Sequence, residues 1–324
     1  MLNNKKILIT GGTGSFGKAF VKNAIKFNPK ELIIFSRDES KQWDMSLEFK
    51  HKSLKYILGD IRDYSAVKNA MKNIDYVIHA AATKIVPTAE VNPLECIKTN
   101  IIGSGNIIEA AKELNVKKVI GLSTDKACNP INLYGATKLA ADKLFVSEDS
   151  IKNKVKFSVV RYGNVIGSRG SVVPFFQSQS NNKLPISITD LKMNRFIISL
   201  KNAVNFVLFV LQEMEGGEIF VKKLPSIKII DIAKAINPKA KIKIIGIRPG
   251  EKLFEQMISE EDADHTYEFK DHFRILPSSI KKKSFKCKKF GKKVKKQFSY
   301  SSKNNISWMS ALEFRKWLLK NPEY

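Results

Sequence analysis

Thr124, Asp125, Lys126, Tyr134 and Lys138 fall in one short stretch of the 324-residue chain, and their side chains have complementary chemistry. Tyr134 and Lys138 are four apart, so a helix puts them on one face. An ammonium beside a phenol favours the phenolate, which predicts a lowered tyrosine pKa. Such a phenol takes a proton from an alcohol or sugar hydroxyl near neutral pH. Thr124, Asp125 and Lys126 add a hydroxyl, an acid and an amine. The bland alternative is a strand-end turn before an ordinary amphipathic helix.

The surrounding elements favour a site. Lys118–Leu122 reads as a short buried strand, so residues 124–126 sit at a carboxyl end, where open α/β sheets bind ligands. The N-terminal strand, Lys6–Thr10, runs into Gly11-Gly12-Thr13-Gly14-Ser15-Phe16-Gly17 and then a helical pattern. Strand, glycine loop and helix in that order form a dinucleotide fingerprint. Its glycines allow close approach to a pyrophosphate that faces the helix N-terminus.

The second strand, Glu31–Phe35, ends in Ser36-Arg37-Asp38, with Lys41 beyond. An acid at that tip would suit a ribose 2′-hydroxyl. Here Ser36 takes the tip, and the Arg37 guanidinium suits a 2′-phosphate, which predicts NADP over NAD. Asp38 has an alternative role as a helix cap. Asp60, after a third strand at Leu54–Leu58, is placed for an adenine amino group or is simply a turn acid. The fourth strand, Asp75–His79, ends in Ala80-Ala81-Ala82, small enough for a dinucleotide to lie close, and Lys84 follows. A helix from about Pro93 carries Asn100, a candidate anchor for water or backbone. A sixth strand, Val155–Arg161, leads to Asn164, Val165 and a Gly/Ser-rich loop over the site.

This alternation predicts an α/β fold: a Rossmann-type doubly wound parallel sheet with a smaller C-terminal substrate-binding lobe. The expected dinucleotide-binding domain spans residues 1–172, with a return segment at about 195–222. Residues 173–194 and 223–324 form the expected lobe, with strands at 186–189 and 242–245 and a helix at 229–236.

Composition narrows the class. Hydrophobic content of 43% is ordinary for a globular protein, and no run of 18 apolar residues predicts a membrane span. The first apolar run is too short for a signal peptide. Three scattered cysteines and four unclustered histidines argue against metal catalysis and fit a reduced, cytoplasmic setting. The formal charge is +25, and ten lysines lie between Lys281 and Lys296. That run reads as a solvated surface; nucleic acid is the alternative partner, although no known nucleic-acid module accompanies it.

Several runs together carry a family resemblance: Thr10–Gly17, Ser36–Glu39, Asn92–Asn100, Leu122–Lys126, Asn129–Lys138, Val160–Val165 and Ile245–Lys252. They resemble the extended short-chain dehydrogenase/reductases. Within these they resemble the inverting UDP-N-acetylglucosamine 4,6-dehydratases (5-epimerising) that begin pseudaminic acid synthesis. The similarity covers most of the chain to about residue 257, and Tyr300–Asn305 resembles the family's C-terminal end.

The resemblance implies that Tyr134 takes the sugar O4 proton while Lys138 lowers its pKa and holds the nicotinamide ribose. Thr124, Asp125 and Lys126 complete the catalytic set. Lys126, as a neutral amine, would remove the C5 proton, and Asp125 would protonate the departing C6 hydroxyl. Retaining relatives carry Asp-Glu where this chain has Asp125-Lys126, and another branch has methionine in place of the tyrosine. NADP would be held by residues 11–17, Ser36, Arg37, Asp38, Lys41, Asp60, Ile61, Ala80, Ala81, Ala82, Asn100, Tyr134, Lys138 and Val165. UDP-N-acetylglucosamine would lie against Lys84, Asn164, Val173, Thr189, Met193, Arg195, Arg248 and Glu251; for the last two, a local ion pair in a turn is the alternative. The implied product is UDP-2-acetamido-2,6-dideoxy-β-L-arabino-hex-4-ulose, destined for surface or flagellin glycans. The implied assembly is a homo-oligomer, possibly a hexamer. A UDP-sugar 4-epimerase and a non-catalytic NADP- or nucleic-acid-binding protein stay open beside this reading.

Overall fold

The computed structural model describes residues 2–147, 154–168, 170–278 and 291–321. Residues 281–290 of the lysine-rich run lie outside them, so the contacts of most of that run are not described.

Six strands come first: β1 (Lys6–Thr10), β2 (Glu31–Ser36), β3 (Leu54–Leu58), β4 (Tyr76–His79), β5 (Lys118–Leu122) and β6 (Lys156–Arg161). Then follow β7 (Asn164–Val165), β8 (Ile186–Ile188), β9 (Asn194–Ile198), β10 (Ile219–Lys222), β11 (Ser226–Lys228) and β12 (Ile242–Ile244). The last are β13 (Gln256–Ile258), β14 (Thr266–Glu268), β15 (His272–Ile275), β16 (Lys292–Lys293) and β17 (Tyr300–Ser301). The helices that position the site are α1 (Ser15–Ala24), α2 (Glu39–Glu48), α3 (Tyr64–Ala70), α4 (Val86–Val91), α5 (Pro93–Ile97), α6 (Gly103–Glu113) and α7 (Leu133–Phe145). After them come α8 (Val172–Asn181), α9 (Leu200–Glu213), α10 (Ile229–Ile236) and α11 (Ala311–Lys320).

The main sheet runs β16-β14-β15-β10-β6-β5-β4-β1-β2-β3. The seven strands from β3 to β10 are mutually parallel. Their apolar runs are covered on both faces: Ile7, Leu8 and Ile9 of β1 are fully buried, with Phe20, Val21 and Ala24 of α1 packed into the same core. Chain order reverses between β1 and β4, and a crevice opens at their carboxyl ends.

A second apolar core holds Val173, Phe176, Ile186, Ile188, Met193, Ile227, Ile232 and Phe314. It belongs to α8, β8 and β9, with α10 and α11 packed on them. The expected lobe boundary at residue 223 needs correction. β15 pairs antiparallel with β10, and β14 and β16 extend the main sheet beyond it. Met257, Ile258, Phe273, Ile275 and Tyr300 pack into the large core. A three-residue turn joins β14 to β15, which therefore pair antiparallel. The lysines of β16 sit at the sheet's edge, where charge discourages further pairing. No described helix is long and apolar enough to cross a membrane.

Candidate active site

A cleft of about 1120 Å³ lies over the carboxyl ends of the parallel strands and reaches the second core. The glycine loop forms its floor. Gly11 has φ +65°, and a Cβ there would meet the Ala81 backbone at 2.8 Å. A Cβ on Gly17 would collide with the Gly12 carbonyl. Gly14 is the N-cap of α1, and no side chain caps that helix. Gly12 is not among the residues lining the cleft, and a Cβ there would meet the Ile34 side chain at 2.7 Å.

A buried chain of hydrogen bonds supports the floor. Thr10 Oγ1 accepts from Ala81 N and donates to His79 Nδ1 at 2.8 Å. His79 Nε2 then donates to Ser104 Oγ at 3.2 Å, and Ser104 donates to Asn100 O. Burial pushes His79 down to about 3, so it is neutral. Asn100 is buried and does not line the cleft; of its expected roles it fills that of a backbone anchor. Its side chain pairs with the backbone of Thr83 in both directions, at 2.8 and 2.9 Å. That clamps the loop between Ala82 and Lys84. Asn100 lies in a π-turn, Lys98–Ile102, between α5 and α6, where one continuous helix was expected.

At the second strand's tip, Ser36 is held by Gln42, whose Nε2 donates to Ser36 O and Oγ and to Ile57 O. Arg37 is exposed and 3.5 Å from Asp60. Asp38 takes the capping role: its carboxylate accepts from Lys41 N at 2.9 Å and pairs with the Lys41 ammonium. Asp60 does not line the cleft. Both its oxygens accept from Arg62, which the sequence reading missed, at 2.9, 2.8 and 2.6 Å. Burial opposes its ionisation, but Arg62 and Arg37 outweigh that and hold its pKa low. It is a turn acid fixed by a guanidinium, the alternative role considered for it. Ile61, Ala80, Ala81, Ala82 and Val165 line the cleft as expected.

On the opposite wall, α7 starts at an Asn132 cap that accepts from Gly135 N. This sets Tyr134 and Lys138 on one buried face. Lys138 Nζ donates to Leu122 O at 2.6 Å, fastening α7 to the end of β5. Burial lowers the Lys138 pKa, opposed by Asp142 one turn on. The expected lowering of the Tyr134 pKa is overturned: burial pushes it up to about 12. The groups that pull it down are Lys126 and the Thr124 hydroxyl.

Lys126 also differs from expectation. Its Nζ lies 3.0 Å from Asp125 Oδ1, 3.1 Å from Glu255 Oε1 and 3.4 Å from Asn164 Oδ1. Three acceptors match the three hydrogens of an ammonium. Burial favours the neutral amine, yet Asp125 and Glu255 outweigh it, and the pKa is raised. A neutral amine at rest is therefore corrected to an ammonium. Burial raises Asp125, whose carboxyl is fully enclosed beside the cleft. Glu255 had been missed, because nothing in its local sequence links it to Lys126. A second hidden partner, Asp142, accepts from Ser123 Oγ at 2.7 Å and Arg161 Nη2 at 3.1 Å.

The lobe supplies the outer wall. Thr189, Met193, Arg195, Lys84 and Asn164 line the cleft. Val173 is corrected: it is buried in the second core. Arg195 is mostly spent on backbone, donating to Asn194 O, Leu253 O and Lys252 O, which pins the 252–255 segment to β9. Arg248 lines the cleft and is bound through Nε and Nη2 by Glu251, both at 3.1 Å. The local ion pair considered for that turn is present.

The family profile described as polysaccharide biosynthesis protein matches residues 7–277. The chain belongs to the polysaccharide biosynthesis protein family. Among family relatives, the chain is 54% identical to the UDP-N-acetylglucosamine 4,6-dehydratase (inverting) of Campylobacter jejuni, over 97% of each chain. It is 45% identical to the UDP-glucose 4-epimerase of Rickettsia bellii, over 85% of this chain and 84% of that one. The X-ray structure of Pen from Bacillus thuringiensis superposes with a TM-score of 0.91 at 38% identity, covering all of both chains.

Proposed function

We propose that this family member is a nicotinamide-dinucleotide-dependent hydro-lyase that removes water from the sugar of UDP-N-acetylglucosamine and inverts C5. The observation that carries this reading is Lys126, held by two carboxylates in the same cleft as Tyr134. The 54% identity to the Campylobacter jejuni dehydratase supports it. A 4-epimerase, the activity of the Rickettsia bellii relative, needs no acid–lysine pair for elimination.

The floor fits a dinucleotide: side chains on Gly11 or Gly17 would fill the cradle, and α1 presents its amino end. When bound, the dinucleotide would accept hydride from sugar C4 and return it to C6. Arg37 beside Ser36 supports NADP as the form used. Lys138 would reach the ribose next to the reacting ring.

The protein's own groups move protons. Tyr134 is a neutral phenol at rest, so it must pass on a proton as it receives one from O4. Thr124 bonds both Tyr134 and Asp125, giving that proton a route. Asp125, which burial disposes to hold a proton, would then protonate the C6 hydroxyl as it leaves. Lys126 would take the proton from C5, made acidic by the C4 ketone. Arg248 and Glu251 would hold the uridine diphosphate, with Thr189, Met193 and Arg195 around it. The product, a 4-keto-6-deoxy sugar nucleotide, suits surface-glycan synthesis.

Proton NMR of the protein with UDP-N-acetylglucosamine and NADP in D2O tests the reading. The expected product is the L-arabino 4-keto-6-deoxy sugar with deuterium at C5. UDP-N-acetylgalactosamine without a keto sugar would establish the epimerase, and a D-xylo product would overturn the assignment of inversion.

A further inference from the structure

Glu255 is buried between the two cores, just before β13. Ser302 clamps its backbone: Ser302 Oγ accepts from Glu255 N at 2.9 Å, and Ser302 N donates to Glu255 O at 2.7 Å. The carboxylate is 2% exposed and lines the cleft. Oε1 faces Lys126 Nζ at 3.1 Å and Arg195 Nε at 3.6 Å. Oε2 has no hydrogen-bond partner among the described residues. The charged groups around Glu255 are Lys126, Arg195, Lys252 and Asp125. Keeping a carboxylate this deep requires a reason beyond packing.

An ammonium cannot remove a proton from carbon. Lys126 must first give one up, and among the described residues only Asp125 and Glu255 are carboxylates in ion-pair contact with it. Asp125 is needed as the acid for the departing hydroxyl. Resting on the dehydratase reading above, we infer that Glu255 is the acceptor of the Lys126 proton, a positioning residue that turns the ammonium into the base for C5.

In the step, an N–H bond of Lys126 breaks and an O–H bond forms on Glu255. The charged pair becomes an amine and a carboxylic acid, and the amine lone pair then takes the C5 proton. After water has left, C5 takes a solvent proton on its opposite face, as inversion requires, and the lysine–glutamate pair releases its extra proton to solvent. Two carboxylates on one ammonium are thereby divided into an acid and a base by their surroundings. Burial pushes both up, but Lys126 and Arg195 hold Glu255 low, whereas Asp125 stays raised.

The test compares Glu255→Gln and Glu255→Asp with the wild type, on the full chain with UDP-N-acetylglucosamine and NADP. The Gln variant keeps shape and an oxygen for Lys126 but cannot take its proton. Its kcat should fall by about 100-fold or more at neutral pH, the usual size of a lost acid–base step, with KM nearly unchanged. Its residual rate should climb about tenfold per pH unit as solvent titrates Lys126 instead. Acylation of Lys126 by acetic anhydride, read by peptide mass spectrometry, should be faster in the Gln variant, because one counter-ion is gone. Glu255→Asp should outperform Glu255→Gln. A Gln variant within a few-fold of wild type and with its pH profile overturns the inference, as does Gln outperforming Asp. If the Gln variant does not fold, the Asp variant decides: retained turnover with a displaced acid limb supports the inference, and a folded but inactive Asp variant overturns it. A wild type that performs no elimination overturns the dehydratase reading, whereas a wild type that eliminates beside an unaffected variant overturns the Glu255 role alone.

Discussion

Lys126 is the side chain whose charge state the rest of the site serves. Its ammonium sits against two buried carboxylates, and neither is stable there without it. Lys126→Met should therefore abolish elimination while leaving the dinucleotide bound, and should also lower the melting temperature. The sign of the pH dependence follows from the carboxyls. Asp125 is raised by burial even beside the cation, and the variant removes the charge that opposes that rise. It is tolerated when protonated and destabilises as pH rises and ionises it. The variant's stability deficit should shrink as pH is lowered from neutral toward about 5, as seen in melting curves of both proteins. Full turnover in the variant would remove Lys126 from the chemistry. Arg37 offers a second test at this scale. It is exposed and only weakly engaged by Asp60. Arg37→Ala should weaken NADP by about 10-fold or more and NAD far less, since one charge-assisted contact is worth roughly 1.5–3 kcal/mol. Equal losses in a fluorescence titration would count against the 2′-phosphate role.

Among the elements, β1, the glycine loop and α1 form the unit with least tolerance. The Gly17 position is closed by the Gly12 carbonyl, which is backbone and cannot rotate away. Gly17→Ala should shift the loop and weaken dinucleotide binding by at least an order of magnitude, with loss of stability as well; a calorimetric titration measures it. This unit was legible in the sequence, as were β5 and α7, because short-range order defines them: an apolar run, a turn and a cap. The π-turn at Lys98–Ile102 was not, since its residues have no distinctive helical period. The sequence left two roles open for Asp60, and its capture by Arg62, two residues on, was not foreseen. The lowered phenol pKa failed for a different reason. Spacing places Tyr134 and Lys138 on one face, but only packing reveals that Lys138 turns to Leu122 O and that burial dominates Tyr134. Glu255 belongs to the hardest class. Its partnership with Lys126 is purely tertiary, made where the second core closes on the first.

For the molecule as a whole, the main sheet joins two halves, the seven parallel strands and the antiparallel strands β14 to β16. Each half buries one neutral histidine. His79 sits in β4 and His272 in β15, the latter stacked on Phe269 at 4.6 Å. Burial is the first cause in both, and each pKa is pushed from 6.5 to about 3. Above pH 6.5 neither the folded nor the unfolded chain holds these protons, so stability does not depend on them. Below it the unfolded chain binds them and the folded chain does not, so stability falls progressively toward pH 3. Two such groups contribute up to about 2.7 kcal/mol per pH unit, before the carboxylates add their share. Urea denaturation at several pH values between about 5 and 8 should show a single transition whose free energy bends downward in the acid part of that range. His272→Gln should roughly halve that early slope. If the slope is unchanged, or the transition splits in two, then the antiparallel strands melt apart from the parallel sheet and the ten strands do not form one cooperative unit.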